Sequence, residues 1–228
     1  MAGETEMILD KNGMPAVIYK FMPGRFAEAF LHGQSVRVGT LNEFRRTELH
    51  GLNKGDSMEG IVEVKGVDSK GTDDPEFAGV RHRLNRDGNR FRIGSITGFD
   101  TAVSFEEANI NIFCASTAFD AKIAADLDPG YDRCIRIGNV QGFIAALLEG
   151  FCRASLCPGE CWSAAVRYLD KRVDGRDPIP DGRFCKGSEF SLQAEFRIAL
   201  ATKSASEVKP MIFPFDAGGC DMSVCWER

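Results

Sequence analysis

Near the C-terminal end of the chain, Gln193 and Glu195 stand two residues apart in the segment Ser191 to Leu200. In an extended strand, side chains two apart share a face, so the pair can grip one ligand. Leu192, Ala194, Phe196 and Ile198 fall on the opposite, apolar face, while Arg197 joins the polar one. A carboxylate held against a sugar hydroxyl stabilises the oxocarbenium-like state of a breaking glycosidic bond, such as the bond joining nicotinamide to ribose in NAD. Glu195 suits that task, and Gln193 suits orienting an acceptor. The same alternation also fits a half-exposed strand on which Glu195 merely pairs with Arg197 or with a neighbouring strand.

Other candidates offer less. Asp56 and Glu59 lie in the segment GDSMEG, where paired oxygens in a glycine-rich loop could hold a hard cation or a substrate hydroxyl, or simply make a turn. Cys152, Cys157 and Cys161 cluster without a second close pair or a nearby histidine, so no metal is expected. His32, His50 and His82 form no metal pattern and match no nucleophile. The segment from Arg81 to Arg92 carries Arg81, Arg83, Arg86, Arg90 and Arg92 against one acid, Asp87. It reads as a solvated loop or, alternatively, as a local nucleic-acid contact.

The elements that must position these residues are mostly strands. AVIYKF (Ala16 to Phe21), bounded by Pro15 and Pro23, reads as a buried strand, followed by a helix from Gly24 to His32 and a strand from Ser35 to Thr40. A short helix follows over Leu41 to Arg46, with Asn42 as a possible cap. Further strands are expected at Gly60 to Gly66, Arg90 to Ile96, Thr101 to Phe105, Asn109 to Ser116 and Cys134 to Ile137. Asn139 can cap a helix running to about Ala154, with a core stripe of Phe143, Ile144, Leu147, Leu148 and Phe151. Strands at Ser163 to Leu169, Met211 to Phe215 and Ser223 to Trp226 complete the set, and the segments Ser69 to Ala78 and VDGRDPIPDGRF are expected as exposed loops. So many strands between so few helices predict an α+β fold with mostly antiparallel pairing rather than a doubly wound sheet.

The ordered pieces resemble the ADP-ribosyltransferase-like superfamily, including its uncharacterised bacterial and phage members and its nucleic-acid-targeting toxins. Three segments carry the likeness: Ile18-Tyr19-Lys20 with the following helix and VRVGTLNEFR, a middle strand ending in Ser116-Thr117, and Gln193-Ala194-Glu195. The resemblance spans roughly Val17 to Leu200. It implies two packed, mostly antiparallel sheets with flanking helices, a cleft between the first and the Gln-x-Glu strand, and NAD as substrate. It further implies that Tyr19 and Lys20 hold NAD, that Ser116 and Thr117 support the pocket, and that Glu195 and Gln193 are catalytic. The first strand departs from the superfamily's usual Arg or His, and Ser116-Thr117-Ala118 departs from its Ser-Thr-Ser. Arg37 and Arg45, on the strand and short helix after the first motif, could take the NAD pyrophosphate with a guanidinium fork, or form surface ion pairs with Glu43 or Glu48. A protein or nucleic-acid acceptor, and a toxin or phage-defence role, would follow from the family. A binding module on the same fold, one that recognises a nucleotide or partner without cleaving anything, is the alternative.

Composition bounds the setting. The chain has 228 residues, 43% hydrophobic and 27% charged, which is ordinary globular usage, and it carries no internal repeat. A single domain over 1–228 is expected, with 1–14 a flexible N-terminal segment. The formal net charge of −5 disfavours general affinity for nucleic acid. No apolar run approaches the roughly 20 residues that span a bilayer. With an acidic, polar N-terminus and eight cysteines read as mostly buried thiols, this points to a cytoplasmic protein without membrane partners.

Overall fold

The computed structural model describes residues 14–46, 56–65, 91–97, 102–155, 159–170, 172–174, 180–202 and 208–228. In chain order the elements begin with β1 (Ile18–Met22), α1 (Gly24–Leu31), β2 (Val36–Thr40), α2 (Leu41–Arg45), β3 (Ile61–Lys65), β4 (Phe91–Thr97) and β5 (Ala102–Glu107). β6 (Asn111–Ser116), α3 (Ala121–Leu127), β7 (Arg133–Ile137), α4 (Val140–Ser155), β8 (Gly159–Ala165), β9 (Arg167–Tyr168) and β10 (Arg172–Asp174) follow. β11 (Cys185–Lys186), β12 (Glu195–Thr202), β13 (Met211–Phe213) and β14 (Met222–Glu227) close the set. The fold is mixed α+β, and its pairings are antiparallel except for β10 with β3 and β11 with β9.

The large sheet runs β13-β2-β6-β1-β7-β14, with β12 added to β6 and β8 to β12; a smaller one runs β10-β3-β5-β4. Period-two alternation sets its faces. Ile18 and Met22 of β1, Phe113 and Ala115 of β6, and Phe196, Ile198 and Leu200 of β12 enter the main core. There they meet Val140, Phe143, Leu147 and Phe151 of α4, spaced as one helical stripe, and Phe30 of α1. Phe143 lies 5.1 Å from Phe113 and 5.6 Å from Phe215 between ring centroids, so α4 is pinned by aromatic contacts as well as area. Tyr19 and Phe21 point to the other face of β1, where Phe21, Cys134, Ile123 and Ala124 form a second cluster.

Local chemistry explains the helix boundaries. Asn139 Oδ1 accepts from Gly142 N at 3.0 Å and opens α4 as expected. For α2 the cap is Thr40, whose Oγ1 accepts from Glu43 N at 3.1 Å, and not Asn42: the extended Thr40 is the last residue of β2 and is already placed to cap. Gly33 ends α1 at φ 68°, where an added Cβ would lie 2.3 Å from the Phe215 carbonyl, so no other residue fits without movement. Helix α3 was not foreseen in the sequence; Asp120 caps it by accepting from Lys122 N at 2.8 Å.

The largest departure from expectation concerns the Gln-x-Glu segment. Ser188–Gln193 is a 3-10 turn, Ala194 is left-handed at φ 43° and ψ 47°, and the strand starts only at Glu195. Gln193 and Glu195 therefore do not share a strand face, and Leu192, expected on the apolar side, is 72% exposed. β12 is not half-exposed either: Glu195 through Leu200 are all buried, because β6 and β8 cover both of its edges and Phe196, Ile198 and Leu200 enter the main core. The expected strand from Ser163 to Leu169 is split at Val166 into β8 and β9. The N-terminal segment, but for Met14, lies outside the described residues, as do Ser69 to Ala78 and Arg81 to Arg90; Met14 packs against the main core. No helix among the described residues is long and apolar enough to cross a membrane.

Candidate functional site

The site begins with a split in the large sheet. On one edge of β6, Asn111 and Ile112 pair with Thr40 and Gly39 of β2, while Ser116 pairs with Tyr19 of β1. Between them, among the described residues, Phe113 to Ala115 have no strand partner on that edge. Lys20 reaches into the gap: its Nζ donates to the Cys114 carbonyl at 2.7 Å and lies 4.8 Å from the centroid of the Phe113 ring. The other edge of β6 is fully paired with β12, and Glu195 registers with Ser116. Tyr19, Ser116 and Glu195 thus stand in one row across three adjacent strands.

The left-handed turn at Ala194 is what aims the site. A side chain at positive φ is strained, and such a conformation persists only where surrounding bonds over-determine it. Here Thr117 N and Thr117 Oγ1 donate to the Ala194 carbonyl at 2.7 and 3.0 Å. Ser116 Oγ lies 2.9 Å from the carbonyls of both Gln193 and Ala118. The Glu195 N–H donates to Tyr168 Oη at 2.6 Å. With the turn so fixed, Gln193 and Glu195 converge on one cation, for Lys186 Nζ donates to Gln193 Oε1 at 2.7 Å and to Glu195 Oε2 at 3.2 Å.

Arg197 completes a buried charge cluster. Its Nε donates to Glu195 Oε1 at 2.8 Å and its Nη2 to Glu195 Oε2 at 3.2 Å, a two-pronged clamp on one carboxylate. Its Nη1 donates to Glu59 Oε1 and, at 2.8 Å, to the Arg183 carbonyl. Arg197 and Glu59 are each 1% exposed, and Lys186 is 3%. Burial by itself would raise the Glu195 pKa, but Arg197 and then Lys186 outweigh it and hold the carboxyl well below the usual range. Arg197 is held cationic for the reciprocal reason, the two carboxylates overcoming its burial. Burial, reinforced by Glu195, pushes the Cys114 thiol and the Tyr168 phenol upward, so both stay protonated at neutral pH and neither is a nucleophile.

This cluster forms the polar wall of a cleft; the facing wall is apolar, from Tyr19, Phe21, Leu127 and Tyr131, with Phe44 and Gly39 beside the split. The cavity holds about 160 Å³. A cavity of roughly 150 Å³ accommodates a benzene ring. One ring-sized group therefore fits inside, and the remainder of a dinucleotide would have to lie along the mouth.

The sequence-derived candidates divide accordingly. Tyr19, Lys20, Ser116, Gln193, Glu195 and Arg37 line the cleft. Arg37 is half exposed at the rim and paired with Glu43, which was one of the two partners considered. Thr117 is spent on the Ala194 turn, and Arg45 does not line the cleft. Arg45 instead donates to the Glu59 carbonyl, Glu106 and Asn42, and so secures the turn from Asp56 to Gly60 that presents Glu59. Within that turn Asp56 Oδ1 accepts from Met58 N at 2.8 Å, while Asp56 itself faces a different depression from the Glu59 side chain. No cluster of metal-ligating side chains occurs among the described residues.

Lys186, Arg197 and Tyr168 were not singled out as site residues. Only Arg197 carried a signal in the sequence, as the next polar residue on the Glu195 face; Lys186 and Tyr168 arrive from separate strands. Comparison with known proteins adds nothing to this geometry: no family model, no curated protein and no solved structure matches the chain significantly.

Proposed function

We propose that the chain is an ADP-ribosyltransferase-like protein whose cleft binds an NAD-type nucleotide, with the nicotinamide half in the cavity. The observation that carries this reading is the row of Tyr19, Ser116 and Glu195 on three adjacent strands. The three short segments that resemble the superfamily are far apart in sequence, yet they meet at one cleft. Its apolar wall suits a flat ring, and Arg37 at the rim suits a phosphate if it exchanges Glu43 for the ligand. The two-sheet arrangement of that superfamily is part of the same proposal.

Binding without cleavage is the function this cleft supports best, and a specific observation favours it. A carboxylate offers about four lone-pair directions. On Glu195 three of these are met, by two Arg197 donors and Lys186. For Glu195 to stabilise a ribosyl cation, the ribose hydroxyl must reach a carboxylate that Arg197 and Lys186 already engage and neutralise.

Measuring NAD binding and nicotinamide release on the wild type and on Glu195→Gln tests both steps. On the transferase reading, affinity changes little while release falls by a factor on the order of 10². A wild type that binds NAD but releases no nicotinamide is a binding module, and one that does not bind NAD ends both readings.

A further inference from the structure

Among the described residues that line the cleft, Glu59 carries a chemical requirement that the protein leaves unmet. Its Oε1 receives Arg197, but its Oε2 is buried and has no hydrogen-bond partner among the described residues, although the side chain lines the cavity. A buried carboxylate oxygen without a donor is costly, and native proteins seldom retain one without a use for it. The residue is also held there deliberately: Arg45 donates to its carbonyl, and Gly60 follows at φ 68°, with Leu41 and Arg45 within 3.1 Å of where a Cβ would stand.

We propose that Glu59, rather than Glu195, whose two oxygens already receive Arg197 and Lys186, is the carboxylate that receives the ligand. Its Oε2 accepts a hydrogen bond from a neutral donor, a ribose hydroxyl or a primary amide, on the ring-sized group seated in the cavity. This rests on the nucleotide reading given above and deepens it, because an acceptor at this place in the lining also sets the ligand's direction. An ionised phosphate has no donor to offer that oxygen, so the hydroxyl- or amide-bearing end enters and the pyrophosphate stays at the mouth near Arg37.

Calorimetric titration of NAD, ADP-ribose and nicotinamide into the wild type and Glu59→Gln provides the test. Glutamine keeps an oxygen for Arg197 and turns an NH₂ toward the ligand in place of the acceptor. NAD affinity should fall about tenfold or more, as for loss of a hydrogen bond to a charged group. If ADP-ribose weakens equally, the donor is a ribose hydroxyl; if only NAD and nicotinamide weaken, it is the amide. Ligand-side changes leave the protein intact should the variant not fold. The acetylpyridine analogue of NAD lacks the amide donor, and the analogue deoxygenated at the 2′ and 3′ positions of the nicotinamide ribose lacks both hydroxyls, so one of them should bind the wild type correspondingly worse. A folded Glu59→Gln that binds NAD as the wild type does, or wild-type protein that binds both analogues as tightly as NAD, overturns the assignment of Glu59 alone. A wild type that binds none of the three probes overturns the nucleotide reading together with it.

Discussion

Tyr19 and Glu195 flank Ser116 from opposite edges of β6, each paired with it in register, so an aromatic ring and a carboxylate face one cleft from strands separated by most of the chain. The row depends on β6 accepting three neighbours, β12 along one edge and β1 and β2 at the two ends of the other. The cavity in which the ligand is proposed to sit is lined from both sides of the opening between β1 and β2.

Arg197 is the residue on which the polar wall depends most. Replacing it with leucine leaves Glu59 and Glu195 buried without their shared cation, and breaking a buried pair in this way costs about 3–5 kcal/mol. Urea unfolding should report a loss of that size. A loss below about 1 kcal/mol, typical of an exposed pair, would mean that the cluster is hydrated and not structural.

Ala194 should accept glycine with a gain. Its φ of 43° is one that glycine adopts freely, and relieving a non-glycine residue there is worth up to about 1 kcal/mol. The expected result for Ala194→Gly is a melting temperature equal to or above that of the wild type. A clear fall would show that the turn is held for another reason.

Stability should decline with acid in a direction set by Glu195. Its folded pKa lies below its ordinary value of about 4.5, since Arg197 and Lys186 overcome the opposing effect of burial. The unfolded chain therefore binds the proton first as pH falls, and the stabilisation present above that value is progressively lost beneath it. Chemical denaturation across pH 3 to 6 should show this slope in the wild type and a shallower one in Glu195→Gln; equal slopes would place the acid sensitivity elsewhere.

The cysteines should react in an order set by burial. Cys225 is exposed, whereas burial pushes the Cys161 thiol up to about 11 and moves Cys114 and Cys134 further in the same direction. Alkylation at pH 8, followed by mass spectrometry, should label Cys225 before these three. Early labelling of Cys114 would indicate that the cleft opens readily.

The sequence alone determined the strands and helices whose signal is local. Alternation placed Phe196 and Ile198 in the core, the 3.6-residue stripe of Phe143, Leu147 and Phe151 marked α4, and Asn139 announced its start. It also selected Glu195 and Gln193 as neighbours, but through a geometry the molecule does not use. Ala194 is left-handed because Ser116 and Thr117, nearly eighty residues earlier, hold the carbonyls of that turn, and no spacing rule carries such a bond. The convergence of Lys186 and Arg197 on Glu195, the uncommitted oxygen of Glu59 and the split beside β6 are likewise decided by strand pairing between distant segments. Period and capping act within a few residues, whereas a buried charge finds its partner only when the whole sheet has been assembled.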